Sequence, residues 1–116
     1  MKENARCKLG AKGEEIATDF LKQNGYKILA RNYKSNRGEI DIIAEDKNTI
    51  TFVEVKTRKN NNFSYPQEAV DVFKQQHIKK TALEYLVKNK LTDSSCRFDV
   101  IAISEENNIE FIKNAF

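Results

Sequence analysis

Two acids and a lysine in the middle of this chain have the types and the spacing to hold a cation next to a phosphate. They lie in GEIDIIAEDKNTITFVEVKTR, residues 38–58, which reads as two apolar strands joined by a short turn. Because successive side chains of a strand alternate between its faces, Glu54 and Lys56 share one face, and Asp41 projects from one face of the strand before them. Charges thus interrupt strands that are otherwise built for burial.

The predicted hairpin register sets the two acids opposite each other. If residues 47 and 48 form the turn, counting outward along both strands pairs Asp41 with Glu54. Opposed residues have Cβ atoms about 4.5–5.5 Å apart, and like charges there are destabilising. The pair therefore needs a proton, a basic partner or a hard cation such as Mg²⁺, which takes carboxylate oxygens and keeps waters. Lys56 would then reach a water or a phosphate oxygen. An ordinary Asp41–Lys56 salt bridge is the alternative.

The first predicted helix offers a third acid. Its apolar residues recur at helical spacing from Leu9 to Leu21, and Gly25 is the expected stop. At about 100° per residue, Glu14 falls at the edge of the apolar arc, whereas Glu15 points away from it. Glu14 can therefore lean toward the sheet. The alternative is an edge residue whose carboxylate extends to solvent.

The remaining pattern predicts five strands in all and a second helix. The strands are expected at residues 26–33, 39–44, 50–55, 98–103 and 109–112. After an Asn-rich loop at residues 60–62, the helix is expected to begin at Pro66, since proline is favoured in a first turn. Its apolar stripe includes Val70 and Phe73, and it should end near Lys90. The order α-β-β-β-α-β-β predicts an α/β fold with a mixed sheet flanked by helices.

Length and composition favour one intracellular domain. The chain has 116 residues, of which 40% are hydrophobic and 32% charged, and two cysteines, too few for a disulfide framework. The N-terminus lacks the apolar core of a signal peptide, and no apolar run approaches the ~18 residues that span a bilayer. We expect a single domain over residues 1–116, cytoplasmic and not bound to a membrane.

Basic residues are concentrated in two stretches. Residues 20–38 contain five basic side chains and no acid, and residues 73–91 contain five lysines and one acid. Basic stretches around an acidic centre suit a polyanionic ligand together with a bound cation. Solvated surface lysines without a ligand are the alternative.

The charged residues resemble a known nuclease core. Asp41, then Glu54-x-Lys56 on the next strand, after a helical Glu14, is similar to the PD-(D/E)xK core. Four segments in order, GAKGEEIA, RNYKSNRGEIDIIA, FVEVKTR and RFDVIAI, resemble the YraN-type uncharacterised bacterial family of that superfamily, which is similar to archaeal Holliday junction resolvases. The resemblance runs from about Leu9 to the C-terminus. It implies a restriction-endonuclease-like fold, with a central mixed sheet and helices on both sides.

The resemblance also implies roles for individual residues. The metal, Mg²⁺ or Mn²⁺, would be held by Asp41, Glu54, Glu14 and the backbone carbonyl of Val55. Lys56 would be the catalytic lysine, acting with Asp41 and Glu54 in the reaction.

Five basic residues are candidates for nucleic-acid binding. They are Arg58, Lys74, Arg37, Arg31 and Lys12. Arg58 follows Lys56 on the same strand face and has the geometry to clamp a phosphate, or it is an exposed strand-end charge. Lys74 reaches the active edge of the sheet, or it is a surface lysine. His77 is predicted to pack rather than to act as a base, and the RFD segment to be structural.

Two functions follow from these expectations. The first is a Mg²⁺-dependent endonuclease that hydrolyses phosphodiester bonds in structured DNA, including branched DNA, with DNA favoured over RNA. It would act as a homodimer, because a junction needs two symmetric cuts and one domain carries one site. The alternative is a module that keeps the fold and binds nucleic acid without cleaving it. The intact set of three acids and a lysine favours the enzyme.

Overall fold

The computed structural model describes residues 5–58 and 70–116 of the chain. In chain order the elements are α1 (Ala5–Gln23), β1 (Lys27–Ser35), β2 (Gly38–Asp46), β3 (Thr49–Arg58), α2 (Val72–Lys88), β4 (Ser95–Ser104) and β5 (Ile109–Ile112). The predicted order α-β-β-β-α-β-β is confirmed. Within the described residues, no helix is both long and apolar enough to cross a membrane.

The strands form one mixed sheet in the order β1-β2-β3-β4-β5. Neighbouring strands are antiparallel except β3 and β4, which are parallel. Parallel neighbours need a long crossover connection, and α2 lies within it. The crossover brings the first turn of α2 back to the end of β3, where the charged residues lie.

The β2–β3 hairpin has the predicted register. Asp46 pairs with Thr49 across a turn at residues 47 and 48, and Ile42 pairs with Val53. Lys47 takes a positive φ of 57° there. Because side chains alternate along a strand, this register decides which face each charged residue occupies.

Each sheet face is covered by one helix, as the resemblance implies. On the α2 side, Ile43 and Phe52 pack in a cluster with Ile78 of the helix. On the α1 side, the cluster contains Ala17, Leu21, Ile42, Ala44 and Val53. Burial of these two clusters holds α1 and α2 against opposite sides of the same strands.

The beginning of α2 differs from the prediction. The Asp71 carboxylate caps the helix by accepting the Lys74 N–H at 2.8 Å, so the helix begins at Val72 and the buried Val70 precedes it. Phe73 is 78% exposed rather than part of the core. It lies about 140° around the helix axis from the buried Ile78. The predicted start at Pro66 and the loop at residues 60–62 lie outside the described residues.

The RFD segment forms a buried polar network, in agreement with its predicted structural role. Arg97 Nε donates to both carboxylate oxygens of the fully buried Asp99, at 2.9 and 3.0 Å. Arg97 Nη2 donates to the Tyr26 hydroxyl, and the Asn114 N–H donates to Asp99. These bonds tie β4 to the beginning of β1 and to the C-terminal residues.

Candidate active site

A cleft of about 390 Å³ lies where α1, β2, β3 and the first turn of α2 meet. Its lining residues are Glu14, Asp41, Glu54, Val55, Lys56, Thr57 and Lys74. The structure therefore brings all three predicted acids and the predicted lysine into one cleft. Lys74 of α2, which was predicted to reach the active edge of the sheet, also lines the cleft.

Asp41 is held in place by the backbone of the neighbouring strand. Its Oδ2 accepts the Val55 N–H at 2.9 Å. Continuing the hairpin count beyond Ile42 and Val53 would pair Asp41 with Glu54, but here a side chain takes the N–H of the adjacent strand. The carboxylate is thereby oriented into the opening at the end of the hairpin. The predicted alternative, an Asp41–Lys56 salt bridge, is replaced by this bond.

Glu54 is a nearly buried carboxylate between two lysines. Its side chain is 5% exposed; Lys74 Nζ contacts its Oε1, and Lys56 Nζ lies 3.8 Å from the same oxygen. Burial, and next the negative charge of Asp41, raise the pKa of Glu54 to about 7, although both lysines oppose the rise. The two acids therefore repel each other, and a cation between them would relieve the repulsion.

The pKa values of the two lysines shift in opposite directions. Burial lowers the pKa of Lys56, and the neighbouring charge of Lys74 lowers it further. For Lys74, burial also favours the neutral form, but the hydrogen bond and charge of Glu54 outweigh it and raise its pKa. Lys74 is therefore the charged partner of Glu54, whereas Lys56 loses its proton more easily.

The N-cap of α2 places Lys74. Because Asp71 accepts the Lys74 N–H, the backbone of the first turn is fixed where the side chain can reach across to β3. The Lys74 side chain is partly exposed and yet contacts the buried Glu54. It is thus a member of the cleft and not simply a solvated surface lysine.

Glu14 enters the cleft because α1 approaches β3 unusually closely. A Cβ on Gly13 would lie 2.5 Å from Thr57 Cγ2, a distance that only glycine permits. Burial, and next the charge of Asp41, raise the pKa of the following residue, Glu14, while a hydrogen bond to Asn32 opposes the rise. Glu15 is exposed, as predicted.

Two of these residues are missed by sequence reasoning. Gly13 appears within a helical pattern, where an isolated glycine indicates close packing, and that signal can be used. Asn32 takes a φ of 51° within β1, a left-handed conformation that asparagine tolerates better than most residues. Nothing in its sequence context distinguishes it from an ordinary strand residue.

The other predicted basic residues are not in the lining of this cleft. Lys12, Arg31, Arg37 and Arg58 are all exposed. Arg31 is close enough to Glu14 for its charge to act on that carboxyl's pKa. The prediction that His77 packs in the core is wrong. Its ring is exposed, and Nδ1 lies 2.9 Å from the Arg37 carbonyl oxygen, because α2 passes over the beginning of β2.

The donor set suits a hard cation that keeps part of its water shell. Among the described residues, no group of three or more His, Cys, Asp or Glu side chains is arranged to hold a metal ion by itself. Mg²⁺ is usually held by only one or two carboxylates, with waters and substrate phosphates completing the shell. Asp41 and Glu54 meet that requirement, provided that a cation displaces Lys74 from Glu54.

Comparison with known proteins identifies the family. Residues 13–103 match the family model described as uncharacterised protein family UPF0102. The chain belongs to this family. The UPF0102 protein of Geotalea daltonii is 51% identical over 98% of this chain and 93% of that protein. The UPF0102 protein of Caldicellulosiruptor saccharolyticus is 47% identical over 93% and 96%, respectively. UPF0102 is the YraN family, so the family prediction is confirmed.

Among solved structures, the chain is similar to Pyrococcus furiosus SfsA in complex with Ca²⁺. The TM-score is 0.36 and the sequence identity 15%. The alignment covers 95% of this chain but only 64% of that chain. At this level of similarity, no residue role or ligand passes from that protein to this one.

Proposed function

We propose that this protein is an endonuclease that uses Mg²⁺ or Mn²⁺ to hydrolyse phosphodiester bonds in structured DNA, including branched DNA. One observation carries the proposal. Asp41 from β2, Glu54 and Lys56 from β3, and Glu14 from α1 line the same cleft. Carboxylates that repel each other at a partly open site, next to a lysine, favour a cation-dependent reaction on a phosphate over a structural role.

We assign a different role in the reaction to each group of cleft residues. Asp41, oriented by the Val55 N–H, and Glu54 would hold the cation, with Glu14 and the Val55 carbonyl at its edge. Bound Mg²⁺ would supply positive charge for the transition state and lower the pKa of a water. Lys56 lies on the same strand face as Glu54, where its amine can orient the attacking water or donate to a phosphoryl oxygen.

Lys74 would exchange partners during this cycle. Without a cation it neutralises Glu54. If that carboxylate held a cation, the Lys74 ammonium group would be free to contact a phosphate of the bound strand at the mouth of the cleft. The exposed Arg58, Arg37, Arg31 and Lys12 would add contacts to the DNA backbone around the opening.

A panel of labelled substrates tests the proposal. Duplex, single-stranded, flap and four-way DNA, with matched RNA, are incubated with Mg²⁺ or Mn²⁺. We expect cleavage of at least one branched DNA, lost in Asp41→Asn and Glu54→Gln. Glu15→Gln is the matched control, because it removes an exposed carboxylate from the same helix as Glu14. Absence of cleavage across the panel, with the metal bound, would reject the enzyme.

The alternative function is a nucleic-acid-binding module that does not cleave. One observation favours it: Lys74 already pairs with Glu54, so an ion pair offsets part of the cost of this carboxylate without a metal ion. Calorimetric titration with Mg²⁺ separates the two functions. Binding that depends on both Asp41 and Glu54 supports the enzyme, whereas no binding supports the module.

A further inference from the structure

A larger groove, of about 710 Å³, lies between the β1–β2 turn and the last turns of α2. Residues 33–37 form one wall, and α2 side chains form the other. The groove does not include the acids of the candidate active site, and no residue of its α2 wall is among the five nucleic-acid-binding candidates named from the sequence. We call it the α2 groove.

The α2 groove is strongly basic for its size. Among the described residues, four basic side chains and one acid line it, which gives a formal charge of +3: Lys34, Arg37, Lys80 and Lys88 against Glu84. The whole chain of 116 residues also has a formal net charge of +3. The rest of the protein therefore sums to zero, and the excess positive charge is that of this groove. Such a concentration attracts a polyanion.

The α2 wall also carries an exposed apolar strip. Leu83 is 59% exposed and Val87 57% exposed. They lie one helical turn apart, between Lys80 and Lys88. An apolar strip between two ammonium groups complements a nucleic-acid strand, in which apolar sugar faces separate the charged phosphates.

The α2 groove leads to the candidate active site. A cleft of about 400 Å³, lined by residues that include Asp41, Glu54, Lys74 and His77, adjoins the carboxylates. Arg37 lines the α2 groove and His77 lines this cleft, and His77 Nδ1 lies 2.9 Å from the Arg37 carbonyl oxygen, so the two cavities are adjacent. From Lys74 to Lys88 the helix rises about 21 Å. That is the length of about six base pairs at 3.4 Å each.

We propose that the α2 groove binds the sugar–phosphate backbone of a DNA duplex arm whose target phosphate lies at Asp41 and Glu54. The proposal deepens the proposed function, because it assigns the path along which the substrate approaches that site. An acidic peptide would also complement the positive charge of the groove, but it has no reason to extend to the neighbouring carboxylate cleft. A second copy of this chain that docked through the same groove would place two positively charged surfaces against each other.

Binding of a labelled duplex, measured by fluorescence anisotropy over a salt series, tests this path. All proteins carry Glu54→Gln and are kept in EDTA, so neither cleavage nor metal binding affects the result. Lys80→Gln with Lys88→Gln is compared with Lys22→Gln and Lys47→Gln, which remove two exposed lysines away from the groove. Thermal unfolding confirms that both double variants fold.

We expect the groove variant to lose at least tenfold in affinity. Its slope of log affinity against log salt should shrink by about 2, since each phosphate contact contributes about 0.9. The control variant should change less than twofold. Equal losses in the two variants would show that net charge alone matters and would overturn the path. Binding of polyglutamate as tight as that of the duplex, and equally dependent on Lys80 and Lys88, would replace DNA by an acidic peptide.

A second pair of substitutions tests whether the apolar strip contributes to duplex binding. Leu83→Ser with Val87→Ser should weaken duplex binding without changing the sedimentation of the free protein. If these substitutions instead dissociate a dimer and leave duplex affinity unchanged, the strip is a subunit interface and the proposal is rejected. Because every measurement is made in EDTA, failure of the nuclease proposal leaves this result interpretable, and the reverse also holds.

Discussion

Replacing Glu54 by glutamine should stabilise the metal-free protein above neutral pH. The change keeps the shape of the side chain and removes its negative charge. Glu54 is only 5% exposed, and Asp41 repels its carboxylate. Lys74 and Lys56 offset only part of this cost, because the pKa of Glu54 is still raised to about 7. A site that exists to hold a cation is expected to carry this penalty when the cation is absent.

The size of the effect follows from the pKa. Raising a pKa by one corresponds to about 1.4 kcal/mol. The rise from 4.5 to about 7 therefore corresponds to about 3 kcal/mol. The free energy of unfolding falls by this amount when Glu54 is ionised in the folded protein. Below pH 4.5 the group is protonated in both states and costs nothing. Between pH 4.5 and 7 the unfolded chain ionises first, so the stability of the native state falls. Above pH 7 the whole penalty is present.

Urea unfolding in EDTA at several pH values measures this penalty. The free-energy difference between Glu54→Gln and wild type should be near zero at pH 4.5 and rise to about 3 kcal/mol at pH 8. Glu15→Gln corrects for the loss of one net charge from an exposed position. Added Mg²⁺ should stabilise the wild type but not Glu54→Gln. If Glu54→Gln is instead the less stable protein at pH 8, Glu54 is a structural partner of Lys74 and the metal-site reasoning fails.

Four further predictions test the parts of the site. Lys56→Met should keep Mg²⁺ affinity and DNA binding but lose most of the cleavage rate in single-turnover assays; unchanged cleavage would remove Lys56 from the chemistry. Lys74→Met should raise Mg²⁺ affinity several-fold by calorimetry, because no ammonium competes for Glu54; an unaltered affinity would contradict the partner exchange. Gly13→Ala should destabilise the protein by about 1–3 kcal/mol in urea unfolding, since its Cβ overpacks against Thr57, and Thr57→Ser should restore the loss. Light scattering with four-way DNA should detect a homodimer on the junction; a monomer both free and bound would refute that stoichiometry.

The hairpin that carries most of the site is predictable because its constraints are local. Asp41 and Glu54 are separated by one short turn, so the alternation of apolar residues settles both their register and their facing. Helix α2 is less predictable at its beginning. Phe73 fits the apolar pattern of the sequence. In the structure, however, the Asp71 cap sets where the helix begins and Ile78 packs in the core, so Phe73 faces the solvent.

The order of the elements, the hairpin register and the set of three acids and one lysine can all be predicted from the amino-acid sequence. These depend on periodicity and on neighbours along the chain. How the charges of these residues are balanced depends on contacts that form only in the folded protein. Lys74 reaches Glu54 because the crossover between two parallel strands returns α2 to the end of β3. Glu14 reaches the cleft because Gly13 lets α1 approach. Burial and charge pairing arise between distant segments, so the protonation of Glu54, Lys56 and Lys74 is a property of the packed molecule.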